Sequence, residues 1–238
     1  MKIKYIFNLF LCAIFLLAEN RFLLGDELDA IWDQYVEITI ENLSKFPGWC
    51  SKEKAKVLMN FIYHTRPKIC VEIGSFGGST TYPIIAALSF TQRGFLYAID
   101  AWDNQIAIEG LAPTDPNALW WNSLDMDTIY HQFVTAMLPF KQCHPLRQRS
   151  TEAVYRFPEE SIDFLYIDGS FSSLGSFQDV TLYFPKIKQG GYIWINDADY
   201  YIKLDAISFL MENSCWIKKE SIKNKCIVFQ KSYKKRHN

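Results

Sequence analysis

The sequence predicts an α/β protein: a doubly wound, mostly parallel seven-stranded sheet with helices on both faces and a C-terminal antiparallel hairpin. Three observations carry this. Residues 69 to 100 read as strand, helix and strand, the size of one right-handed βαβ unit. Apolar runs near 145–148, 162–168 and 192–196 then alternate with helical patterns, as a parallel sheet requires. Finally, 215–220 and 225–230 are β-rich segments separated by four residues, close enough to pair as a hairpin.

The elements follow in chain order. From Glu27 to Asn42, Leu28, Ile31, Trp32, Tyr35 and Ile38 recur at helical spacing. After the break at Pro47-Gly48-Trp49, Ser51 caps a second helix whose apolar face is Ala55, Leu58, Met59 and Ile62. These two helices, residues 27–66, are expected to form one cover on the sheet. Ile69 to Ile73 is a short β-branched run with no helical period, hence a buried strand. A helix is expected over 79–90 and a strand over 95–100. Residues 101–127 carry Pro113, Pro116, Trp102, Trp120 and Trp121 without sustained period and read as an insertion or lid. Helices near 128–138, 174–188 and 203–213 complete the pattern, with Gln189-Gly190-Gly191 expected to end the second of them.

A chain of 238 residues, 49% hydrophobic, can bury a sizeable core, and residues 27–230 are read as one domain. With 25 basic and 26 acidic residues the net charge is -1, which excludes a broad electrostatic draw to nucleic acid. The basic cluster at 231–238 reads as a solvated tail. Six cysteines (12, 50, 70, 143, 215 and 226) show neither zinc spacing nor a disulfide framework. Residues 1–20 place Lys2 and Lys4 before an apolar run, the layout of a signal peptide or a short membrane anchor, so export or a membrane contact through this segment is one expectation and a hydrophobic helix docked on a soluble, cytoplasmic protein the other.

The most informative stretch is Val71 to Thr81, VEIGSFGGSTT. Its glycines are Gly74, Gly77 and Gly78, and Phe76 stands where the dinucleotide fingerprint Gly-x-Gly-x-x-Gly needs its second glycine. No Gly-Lys-Ser/Thr closes the turn, so a phosphate loop fails as well. An acid just before a glycine turn suits a ligand carrying both an ammonium and a carboxylate, with Glu72 toward the former and N–H groups and hydroxyls near Ser79 and Thr80 toward the latter. Asp100, ending the second strand, can accept both hydroxyls of a ribose. Each residue also has a structural reading: Glu72 could pair with an arginine and Asp100 could cap a helix.

VEIGSFGGST, YAIDAW, SIDFLYIDGS and KQGGYIWIND together resemble, in order and spacing, the class I S-adenosylmethionine-dependent methyltransferases, and most closely the small-molecule O-methyltransferases with an IDGDH-type fourth-strand motif. The resemblance covers roughly residues 47–230. It implies S-adenosylmethionine as cofactor, with Glu72, Gly74, Ser75, Phe76, Gly78, Ser79 and Thr80 around its methionine part, Asp100 on the ribose and Ser150 at the adenine edge. Arg149 replaces the acid usual before that serine. A subset of the family uses a divalent cation, which here would be Mg²⁺ on Asp168, Asn196 and Asp197, and Asp168 and Asp197 are the catalytic candidates. Where relatives carry an acid followed by a histidine or lysine, this chain has Ser170 and Phe171, and phenylalanine cannot take a proton. Of the four histidines only His131 is placed to reach over, although with a cation bound Asp199 or solvent could receive the proton. The expected activity is methyl transfer to an oxygen of a small-molecule acceptor, the alternative a catalytically inactive module that binds the cofactor. Trp102, Trp120 and Trp121, with Asp125 or Asp127, are expected to line the acceptor side.

Overall fold

The computed structural model describes residues 25–218, 220–222 and 225–232; the leader segment and most of the basic tail lie outside the described residues. The described residues divide into two compact units, one ending at Glu41 and the other beginning at Asn42. The expected cover over 27–66 divides accordingly. Helix α1 (Gly25–Asn42) falls almost wholly in the first unit, while α2 (Lys52–Thr65) belongs to the second. Among the described residues no helix is long and apolar enough to cross a membrane.

The second unit is the expected sheet. Its strands are β1 (Ile69–Ile73), β2 (Phe95–Asp100), β3 (Cys143–Arg147), β4 (Ile162–Ile167), β5 (Ile187–Asn196), β6 (Ser214–Trp216) and β7 (Cys226–Lys231), in the spatial order β3-β2-β1-β4-β5-β7-β6. The first five are parallel, and β7 runs antiparallel to both β5 and β6. Because β1 leads to β2 on one side and pairs with β4 on the other, the chain reverses direction there, and a crevice opens beyond the carboxyl ends of these strands.

Strand alternation sorts the core. Val71, Ile73, Leu165, Ile167, Ile193 and Ile195 face a cluster that includes Val180 and Tyr183 of α8 (Ser173–Tyr183) and Ala206 and Leu210 of α9 (Leu204–Asn213). The opposite face meets α2, whose Phe61 packs against the rings of Phe164, Tyr192 and Trp194. That contact sets the first turn of α2, capped by the Ser51 hydroxyl accepting from Lys54 N at 3.1 Å, beside the end of β5.

Several boundaries move. Helix α3 (Thr81–Thr91) starts two residues later than the glycine pattern implies. The insertion contains α4 (Asn104–Ala107) and α5 (Pro116–Asn122), too short to leave a periodic trace, and each is capped by an aspartate, Asp103 or Asp115. Helix α6 (Met126–Met137) follows, with the one-turn α7 (Ser150–Ala153) after β3. Gln189-Gly190-Gly191 does not end an element: β5 begins at Ile187, and a register shift opposite Ile162 and Phe164 lets these residues bulge within the strand. Strand β6 is shorter than its apolar pattern. Lys231 is no tail residue but the buried end of β7, its ammonium donating to the carbonyls of Phe184 (3.0 Å) and Ile187 (2.7 Å).

Candidate functional site

A cavity of about 1190 Å³ opens at the carboxyl ends of β1, β2, β4 and β5, roofed by the insertion. The glycine turn forms its floor. Gly74 has φ +88°, and a β-carbon there would stand 2.3 Å from the Asp168 carbonyl oxygen, so no side chain fits between the ends of β1 and β4. Gly74 N donates to Ile99 O at 2.8 Å and Asp168 N to Ile73 O at 2.9 Å, which stitches the three strand ends together.

Asp100 organises this turn. One carboxylate oxygen accepts from Phe76 N at 2.9 Å, the other from Trp102 N at 2.8 Å. Both donor residues hold the left-handed backbone that side chains disfavour, Phe76 at φ +45° and Trp102 at φ +44°. The carboxylate thus stabilises two strained residues, and the backbone N–H groups of Ala101 and Ser75 also turn toward it. Burial raises its pKa, opposed by these backbone N–H groups.

Of the expected cofactor residues, Gly74, Ser75, Phe76, Ser79, Thr80, Asp100 and Ser150 line the cavity. Glu72 and Gly78 do not. Alternation in β1 turns Glu72 away from the crevice and under α3, where it is fully buried and accepts from the hydroxyls of Ser75 (2.9 Å) and Thr81. Its other carboxylate oxygen has no hydrogen-bond partner, and burial pushes its pKa up to about 8 despite those two hydroxyls. Glu72 therefore holds Ser75 from behind the cavity wall. Gly78, at φ +92°, serves the bend, with the rings and methyl of Phe133 and Met137 against it.

Asp168, Asn196 and Asp197 all line the cavity. Burial lifts the Asp168 carboxyl to about 6, with Lys54 pulling it down, Asp197 pushing it up, and the Asn196 amide and Lys203 pulling it down again. Asn196 Nδ2 donates to Asp168 Oδ1 at 2.9 Å. The side-chain oxygen of Asn196 accepts from the ammonium of Lys54 at 2.8 Å. Asp197 is exposed at the rim with φ +49°. Among the described residues no three His, Cys, Asp or Glu side chains converge as a metal site.

Aromatic rings make the outer wall. Trp49 stacks on Phe76 (5.4 Å between centroids), Trp120 and Trp121 meet both, and Phe171 packs on Trp121 at 5.4 Å. Trp102 is not part of this wall: it is buried among Tyr130 and Phe133, its indole donating to Phe76 O at 2.9 Å. Asp125 caps α6, and Asp127 pairs with Arg147 away from the cavity. Arg149, in place of an acid, crosses the rim to pair with Glu109 of the insertion. Neither Asp199 nor His64, His131 or His144 lines the cavity, and His237 lies outside the described residues. The cysteines at 50, 70, 143, 215 and 226 are free, and Cys12 lies outside the described residues.

Three residues were not singled out from the sequence. Lys54 lies one helical turn before Leu58, on the apolar stripe of α2, so a lysine buried on that face was readable in principle. Asp179 lines the cavity nearly fully buried, accepts from the Ser150 hydroxyl at 2.6 Å, and is lifted to about 6 by burial. Lys203 is buried, its ammonium donating to Ser170 O (3.1 Å) and Ser176 Oγ (3.0 Å); burial lowers its pKa.

The family model described as "Methyltransferase domain" matches residues 71–198, more than half of the chain. No curated protein sequence matches. Among solved structures, the chain is similar to the O-methyltransferase NovP, with 13% identity and a TM-score of 0.63 over 87% of this chain and 100% of that one. It is also similar to the SAH-bound methyltransferase PaMTH1 of Podospora anserina, with 12% identity and a TM-score of 0.56 over 88% and 95%. An O-methyltransferase from Bacillus cereus in complex with SAH matches at 12% identity and a TM-score of 0.53, over 92% and 97%. At these identities the likeness is one of fold.

Proposed function

Since the chain belongs to the methyltransferase-domain family and has its seven-stranded α/β fold, we propose that it catalyses S-adenosylmethionine-dependent methyl transfer to an oxygen of a small-molecule acceptor. The observation that carries this reading is the union, in one cavity, of the Gly74–Thr80 turn with the Asp100 carboxylate.

The residues fit the cofactor. Asp100 would receive the ribose hydroxyls, the turn would offer its backbone N–H groups and the Ser79 and Thr80 hydroxyls to the methionine end, and Ser150 would face the adenine side. The volume is ample for a nucleoside and an acceptor together. When bound, the cofactor would supply a sulfonium methyl group for transfer to the acceptor oxygen and would leave as the neutral thioether. The chain's own part is alignment and proton removal. Asp168, at the end of β4, is ionised above about pH 6 and receives the acceptor's hydroxyl proton, and Asp197 adds negative charge at the rim. Trp49, Trp120, Trp121 and Phe171 hold the acceptor and exclude water.

The Asp168, Asn196 and Asp197 set does not fit Mg²⁺. Asn196 Oδ1 accepts from the buried Lys54 ammonium while its amide nitrogen donates to Asp168, so a dication on that oxygen would face a shielded positive charge.

Transfer of label from methyl-tritiated S-adenosylmethionine across a panel of hydroxylated acceptors tests the reading. Phe171, at the place of a usual proton acceptor, favours the second reading of an inactive binding module, and binding without turnover across the panel selects it. Residues 1–20 retain the reading of a signal peptide or anchor, tested by sequencing the N-terminus of the cell-derived protein.

A further inference from the structure

One of the oxygen donors that would serve a divalent cation, Asn196 Oδ1, is here engaged by a buried lysine. Lys54 belongs to the first turn of α2, packed against β4 and β5 through Phe61, and its ammonium reaches the end of β5 to donate to Asn196 Oδ1 at 2.8 Å. Lys54 is only 6% exposed and Asn196 2%, so the contact is shielded from water. The amide passes this polarisation on, with Asn196 Nδ2 donating to Asp168 Oδ1 at 2.9 Å. A second buried ammonium, Lys203, lies beneath the same loop on Ser170 O and Ser176 Oγ.

The charges facing Asp168 are therefore Lys54 from α2, Lys203 from the turn before α9, and Asp197 from the end of β5. A dication on Asn196 Oδ1 would share that oxygen with Lys54, at a metal–oxygen distance of roughly 2.1 Å. It would then lie within about 5 Å of an ammonium in a shielded site, where like charges repel strongly. Lysine does here what a cation does in other sites: it fixes the carboxylate and offsets its charge.

We propose that Lys54, acting through Asn196, takes the place of a divalent cation at the Asp168 carboxylate, so that methyl transfer at this site is independent of added metal. Lys54 is a positioning residue, since it touches Asp168 only through the amide. The inference rests on the methyltransferase reading for its reaction but not for its test.

The test is Mn²⁺ binding followed by electron paramagnetic resonance on the full chain, for the wild type, Asp168→Ala and the double variant Lys54→Met with Asn196→Asp. The wild type is expected to show no Mn²⁺ binding that Asp168→Ala removes, whereas the double variant, with its ammonium gone and a third carboxylate in place, binds Mn²⁺ at least tenfold more tightly. Stoichiometric binding to the wild type that Asp168→Ala abolishes would overturn the proposal. Thermal melts of each variant show that it is folded. S-adenosylhomocysteine binding, measured in parallel, reports the cofactor reading separately: its absence would sink that reading while leaving the Mn²⁺ result to decide this one.

Discussion

Replacing Asp100 with asparagine separates the two duties of that carboxylate in one experiment. Each oxygen of Asp100 accepts a backbone N–H, from Phe76 at 2.9 Å and from Trp102 at 2.8 Å. Asparagine keeps one oxygen and turns an NH₂ group toward the other N–H, so one charge-assisted bond is lost and two donors face each other. A hydrogen bond to a charged group contributes about 1.5–3 kcal/mol. Both bonds exist in the free protein, so this loss, about 2 kcal/mol, falls on its stability. A ribose hydroxyl on the same carboxylate would lose a charge-assisted contact of similar size, about 2 kcal/mol, which corresponds to about thirtyfold in affinity. Calorimetric titration with S-adenosylhomocysteine measures it, with a thermal melt showing the variant folded. A dissociation constant within threefold of the wild type would refute the ribose assignment, and an unchanged melting temperature would refute the claim that this carboxylate shapes the turn.

Three further outcomes are expected. Glu72 has its carboxyl raised from 4.5 to about 8 by burial, so the folded state holds a proton that the unfolded state has released between these values. Stability therefore falls as pH rises through that window, by up to a few kcal/mol, and levels off above it; Glu72→Gln should melt higher than wild type at pH 9 and lose that advantage toward pH 5, and parallel melting curves would contradict this. Gly74→Ala forces a β-carbon to 2.3 Å from Asp168 O at φ +88°, so urea denaturation should show a loss of about 2–5 kcal/mol, and an unchanged midpoint would refute the close approach. The rim pair of Arg149 and Glu109 is exposed at 39% and 63%, so Glu109→Ala should change stability by less than about 1 kcal/mol; a larger loss would mean that the pair holds the insertion in place.

The parallel sheet was legible because buried strands such as Ile69–Ile73 and Ile162–Ile167 are short apolar runs between helical patterns, and their ends name the site residues. Glu72 shows the limit of that reading. Its place in the motif suggests a ligand contact, yet strand period alone decides which face it takes, and that face lies under α3. Trp102 misleads similarly: a tryptophan in a proline-rich insertion reads as a pocket wall, but its left-handed backbone turns the ring into the core. Lys54 escaped notice because its partner Asn196 is 142 residues away, a juxtaposition that only the packing of α2 on β4 and β5 creates. Gln189-Gly190-Gly191 looked like a helix stop because a bulge uses the same residues as a turn.

The most direct measurement is a crystal structure of the chain grown with S-adenosylhomocysteine. The account requires the ribose hydroxyls on the Asp100 carboxylate, the amino-acid end against the Gly74–Thr80 turn, and the sulfur facing Asp168 inside the aromatic wall. Density for the ligand elsewhere, or a cavity that stays free of it at saturating concentration, would contradict the account.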